Sequence, residues 1–177
     1  MGQRVSCCKC SNVRSDYDNE LESINPRTVD FFSFENQKYQ AKIVEVTDST
    51  KVIFIFLWND SPIKLRGRIH GYACPESSST ATVSARRNLQ LASQKCTDYL
   101  NSLVGPKDDE EAIVNIKIIK AIEDGHYLIE VNLPDGTSVL NSMLGFGAKS
   151  FYGSKSDKGP DFTTEELKKI IERVVEN

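Results

Sequence analysis

An α+β fold that is mainly β, a five-stranded OB-type barrel with about three helices, is predicted by three observations in the sequence. Three β-rich runs follow one another between residues 39 and 72. A long run of helical periodicity comes next. Two further β-rich runs then precede a capped helical end. Three strands, a helix, two strands and more helix is the order of an OB barrel with helical additions. The chain has 177 residues, 39% hydrophobic and 27% charged, enough for one such core and a tail.

Residues 1–34 are polar and patternless and read as an anchor and flexible linker; residues 35–177 read as the barrel domain. "YQAKIVEV" alternates loosely, with Ala41, Ile43 or Val44, and Val46 as core positions. "KVIFIFLW" is β-branched and aromatic, and Asn59-Asp60-Ser61-Pro62 turns the chain into a third strand, "IKLRGRIHGY". Ala85, Leu89, Ala92, Cys96, Tyr99 and Leu103 recur on one helical face, and Gly105-Pro106 ends that helix. "AIVNIKIIKAI" and "YLIEVNL" are the last strands, joined through Glu123-Asp124-Gly125 and followed by a turn at Pro134-Asp135-Gly136. A short helix is expected from about Asn141. The terminal helix opens on a capping box of Thr163 and Glu166, with Phe162 stapled onto Leu167. Its apolar stripe is Leu167, Ile170, Ile171, Val174 and Val175.

The chain opens MGQRVSCCKC. Gly2 followed by Ser6 fits the N-myristoylation pattern. A single myristoyl chain holds a membrane only marginally. Cys7, Cys8 and Cys10 are placed to take palmitate and supply the second anchor, and Arg4, Lys9 and Arg14 add attraction to anionic lipid. Three thiols without a nearby histidine make a poor zinc site. The five cysteines are unevenly spread, which excludes a disulfide framework and suits a reducing compartment. No apolar run approaches the ~20 residues of a membrane span. The net charge of −3 gives no overall basic field for nucleic acid.

Arg68-Ile69-His70-Gly71-Tyr72-Ala73-Cys74-Pro75-Glu76 resembles the signature R-L-x-G-I-D-A-P-E of the staphylococcal nuclease (thermonuclease-like) family. Val44 to Val52 resembles that family's V-x-V-x-D-G-D-T-V, and Asp124-Gly125-His126-Tyr127-Leu128 its Y-G-R-x-L. Leu133-Pro134-Asp135-Gly136, Leu140-Asn141 and Ala148 also fit, so the resemblance spans roughly residues 38 to 152. It implies an OB barrel that hydrolyses phosphodiesters with one Ca²⁺. Two aspartates hold the metal, a glutamate acts on the attacking water, and two arginines stabilise the phosphate.

Carried over by position, the first arginine is Arg68 and the glutamate is Glu76. The second arginine is His126, which lacks the forked guanidinium. The metal positions hold Thr50, Ala73 and the backbone carbonyl of Cys74, so both charged ligands are missing. Arg68 and Glu76 also have a plainer reading, as an ion pair. His70, His126 and Cys74 offer no evident fourth ligand for another metal.

The expectation is a catalytically inactive binding or scaffold module, lipid-anchored at the cytoplasmic face of a membrane, with no cofactor. Its partners would be that membrane and a protein, nucleic acid being less favoured by the acidic balance. The alternative is a metal-dependent nuclease whose site is rebuilt around Asp48 and Glu76, with Ca²⁺ as its metal.

Overall fold

The computed structural model describes residues 23–25, 27–28, 32–76, 83–106, 113–122, 125–153 and 159–175. Two compact units divide the chain, residues 1–33 and 34–177. In the first, the described residues show a local turn in which the Asn25 side chain accepts from the Arg27 N–H at 3.0 Å. Gly2, Cys7, Cys8 and Cys10 lie outside the described residues.

The second unit is a closed barrel of five strands ordered β1-β2-β3-β6-β5, with β5 pairing back onto β1. The strands are β1 (Lys38–Asp48), β2 (Lys51–Trp58), β3 (Ser61–Ile69), β5 (Ile113–Ile122) and β6 (His126–Asn132). All barrel pairings are antiparallel except β3 with β6, which is parallel. This is the OB-like, mainly β architecture that the order of elements predicts. A short β4 (Gly71–Ala73) pairs outside the barrel with β7 (Lys149–Phe151). Three helices are described in this unit: α1 (Val83–Val104), α2 (Val139–Phe146) and α3 (Thr164–Ile171).

Period-two alternation builds the wall. Val52, Phe54 and Phe56 of β2 point inward, where they join Ala41 and Ile43 of β1, Ile116 and Ile118 of β5, and Ile129 and Val131 of β6. A register shift between Ile43 and Glu45 decides the ambiguity in β1: Ile43 is buried, Val44 is only half-buried, and Val46 packs at the core's edge. The β2–β3 hairpin closes on Asn59 (φ 48°) and Asp60 (φ 60°), a two-residue turn with both φ angles positive. Phe34, which the sequence pattern leaves in the linker, belongs to this core. Its ring meets Phe56 edge-on at 5.4 Å and Trp58 at 6.2 Å.

Three expectations shift. The third predicted strand breaks at His70, because Gly71 takes φ 97° and turns Gly71–Ala73 away to pair with β7. The buried stripe of α1 is Ala92, Cys96, Leu100 and Val104. Tyr99 instead stacks on Phe146 at 4.1 Å, and Leu89 and Leu103 pack at the border. The terminal helix ends at Ile171, so Val174 and Val175 lie beyond it, and Val174 is exposed. Its N-terminus is as read: Thr163 Oγ1 accepts from the Glu166 N–H, and the Glu166 carboxylate accepts from the Thr163 N–H at 2.7 Å. Lys149 ties this cap to β7 through Glu166 at 2.8 Å.

Gly67 marks the tightest point of the wall. A Cβ there would stand 2.5 Å from Ile129 Cδ1 and 3.0 Å from Phe54, both buried. Gly67→Ala is therefore expected to overpack the lumen and cost about 1–3 kcal/mol, read from urea denaturation midpoints. An unchanged midpoint would mean that Ile129 repacks freely.

Candidate functional site

The β1–β2 turn, Asp48 to Thr50, is where the nuclease-like pattern would place its first metal ligand. The turn is held from several sides. Asp48 Oδ1 accepts from the Thr50 N–H at 2.8 Å and from Thr50 Oγ1 at 3.0 Å. Its other carboxylate oxygen pairs with Lys51 Nζ at 2.7 Å. The Thr50 carbonyl accepts from the Ile69 N–H of β3 at 2.7 Å. The fully buried Tyr72 of β4 donates its hydroxyl to the Ser49 carbonyl at 2.8 Å.

This packing brings the three expected metal positions into one neighbourhood. Ala73 follows Tyr72, and the buried Cys74 comes next, in the same core as the buried Cys96 of α1. Ser49, Thr50 and Ala73 are all buried, Thr50 at 7% and Ala73 at 8% exposure. The donor set does not fit Ca²⁺, which takes several oxygen ligands and draws its affinity from their charge. Ala73 offers no side-chain oxygen and Thr50 only a neutral one. Both oxygens of Asp48, the one nearby carboxylate on this turn, already have partners within the turn. Among the described residues, no three His, Cys, Asp or Glu side chains are grouped to hold a metal.

The electrostatics follow from this arrangement. Burial raises the Asp48 carboxyl, but the Lys51 ammonium and the Thr50 N–H and hydroxyl outweigh it, and the group titrates below its ordinary value. Burial lifts the Tyr72 phenol well above its own. The Cys74 thiol is raised by its hydrogen bond with Cys96 and by burial, which keeps it protonated and a poor nucleophile.

Beside this turn, on the outer wall, a pocket of about 700 Å³ lies between β3, β5, β6 and the β4–β7 pair. Arg68, His70, Lys120, Leu128 and Tyr152 are among its lining. Alternation on β3 turns Arg68 outward, opposite Lys51 of β2 and Leu128 of β6. His70 stands edge-on to Tyr152, ring centroids 5.2 Å apart. Burial lowers the His70 imidazole and Lys120 adds to the effect, while Glu130 pulls the other way. The net lowering leaves His70 neutral near pH 7, and Arg68 and Lys120 carry the pocket's charge. The chemistry on offer is recognition of an anion with an apolar or aromatic body.

The other two expected residues stand apart from this pocket. His126 begins β6 in register with Arg66 and does not line it. Glu76 is exposed just after β4, and among the described residues no ion pair joins it to Arg68. His70, Lys120 and Tyr152 were not legible as pocket residues. The sequence singles out His70 only as a metal-ligand candidate, and the period-two spacing of Arg68 and His70 could have set both on the outer face. The sequence matches no family model, and no curated protein is detectably similar to it.

Two outcomes are expected from this geometry. Tyr72→Phe strands the buried Ser49 carbonyl and should destabilise the fold by about 1–3 kcal/mol in thermal or urea unfolding. The folded Asp48 carboxyl titrates below its ordinary value of 3.8. Its contribution is thus complete at pH values above that and disappears as pH falls through the folded value. Asp48→Asn should flatten the loss of stability below about pH 4. An acid limb identical to that of the parent chain would show that Asp48 carries none of it.

Proposed function

We propose that this chain is a membrane-tethered, nuclease-like binding module that has given up hydrolysis. The observation that carries the reading is the pair of buried, uncharged side chains Thr50 on the β1–β2 turn and Ala73 on β4, where metal-binding carboxylates are needed. A metal-bound nucleophile or a Lewis-acid contact to the phosphate has no donor set to stand on there. Arg68 and Lys120 both line the pocket, on either side of Leu128, which supports binding of an anionic group without cleavage. The tether rests on Gly2 with Ser6 and on Cys7, Cys8 and Cys10, a pattern that supports an acyl anchor on the cytoplasmic side of a membrane. The occupant in that setting is a protein or a lipid headgroup rather than a nucleic acid, in keeping with the net charge of −3.

The test is cleavage of DNA and RNA by the full chain with Ca²⁺, Mg²⁺, Mn²⁺ or chelator, beside Glu76→Gln. No metal-dependent product is expected in any arm. Cleavage that needs metal and disappears in Glu76→Gln would instead establish a hydrolase with a rebuilt site. The tether is read separately, by incorporation of a myristate analogue in cells that carry the transferase. Label is expected on the parent chain and not on Gly2→Ala. An unlabelled parent chain would remove the tether.

A further inference from the structure

The outer surface of β1, β2 and β3 has an unusual composition for a face turned to solvent. Val52, Phe54 and Phe56 take the inward positions of β2, so Lys51, Ile53, Ile55 and Leu57 point outward. The last three form an aliphatic column on the middle strand. Leu57 is 66% exposed, and Trp58 beside it at the hairpin tip is 36% exposed. Outward positions of a half-buried strand are ordinarily polar.

Cations line the β3 side of this column, Lys64, Arg66 and Arg68, while β1 sets Lys42, Glu45 and Asp48 on the other. The strand registers give three rows across the face: Lys42–Ile55–Lys64, Glu45–Ile53–Arg66 and Asp48–Lys51–Arg68. Five cations thus stand against two carboxylates, and Asp48 is already paired with Lys51 at 2.7 Å. Asp60 adds one more negative charge at the hairpin tip. The excess is positive on a chain whose net charge is −3. Long Lys and Arg stems lie along the aliphatic column and keep their charged ends in water.

We infer that this face rests on an anionic lipid bilayer, with Leu57 and the hairpin tip entering the headgroup region. The inference builds on the membrane reading above and names the surface of the barrel that would meet the lipid. The composition matches that surface on both counts. Anionic headgroups attract each nearby Lys or Arg by about 1 kcal/mol. Aliphatic side chains gain by leaving water for the acyl boundary, and Trp favours the interface itself. Single-stranded nucleic acid would satisfy the cations but stacks on aromatic rings. Ile53, Ile55 and Leu57 offer none, and Trp58 is a single ring at the hairpin tip where successive bases would need a series of them.

The experiment uses the full chain made in a host without N-myristoyltransferase, so that the face is read without the acyl anchor. Vesicles of phosphatidylcholine, with or without phosphatidylserine, are sedimented with the parent chain, with Lys64→Ala/Arg66→Ala and with Leu57→Asp. These three residues are exposed, so the variants should keep the parent's melting temperature, which is checked first. The basic residues of the N-terminus are the same in every arm. The parent is expected to bind only the phosphatidylserine vesicles. Each cation removed should weaken binding about fivefold, Leu57→Asp should weaken it further, and added salt should reduce it.

Absent binding, equal binding to neutral vesicles, or binding undiminished in the variants would overturn the inference. Tight binding of a fluorescent single-stranded oligonucleotide, lost in the same variants while vesicles are ignored, would assign the face to nucleic acid instead. The acyl tether is judged independently by labelling of Gly2. Vesicle binding by this face without such label would leave the face standing and remove the anchor.

Discussion

The parallel pairing of β3 with β6 is the join on which the rest of the molecule depends. The antiparallel meander of β1 to β3 and the hairpin of β5 and β6 each have free edges. A sheet edge exposes unpaired backbone groups and invites unwanted pairing. Registering Arg66–Ile69 against His126–Ile129, with β5 returning to β1, removes both edges at once. Closure leaves a narrow lumen, and Gly67 is where its wall has no room for a side chain. The same join sets Arg68 beside Leu128 and so brings β3 and the β5–β6 hairpin to the outer pocket. A crossover is needed to bring a parallel strand back, and α1 with β5 supplies it.

Local chemistry made most of the fold legible. β-branched runs, the Asn59-Asp60 and Pro134-Asp135-Gly136 turns, the Gly105-Pro106 stop and the Thr163–Glu166 capping box are interactions between near neighbours, and each appears as expected. The misses are tertiary. No local pattern says that Gly71 will take φ 97° to feed β4 toward β7, a strand some eighty residues on. On α1 the expected face holds in part: Ala92 and Cys96 are buried and Leu89, Tyr99 and Leu103 pack against the core, but Leu100 and Val104, equally apolar, take the deepest positions because the helix is rotated toward the barrel. The pocket fared likewise. Arg68 is readable from its motif, but Lys120 and Tyr152 reach it only through strand pairing.

The turn from Asp48 to Thr50 carries the functional argument, and its chemistry is self-contained. A metal site keeps carboxylate oxygens pointed at a shared point and unsatisfied until the ion arrives. Here the one carboxylate spends its oxygens on Thr50 and Lys51, and the neighbouring positions are filled by a methyl group and by thiols packed against each other. Restoring a donor set would take more than one substitution. Aspartates would be needed at both position 50 and position 73, and only a bound ion would offset the repulsion among them.

A pocket with fixed cations beside such a turn has a limited repertoire. Arg68 and Lys120 could hold an anion and even favour charge developing on it, but cations alone supply no nucleophile and no base. Catalysis needs an interaction that grows as charge develops, from a metal-bound nucleophile or a base aimed at water. Glu76 is the one retained candidate for such a base, and it is exposed, away from the pocket lining. On the proposed reading, Arg68 and Glu76 match the nuclease-like pattern while Thr50, Ala73 and His126 do not, so the charged metal ligands that would join phosphate binding to hydrolysis are the part without a counterpart.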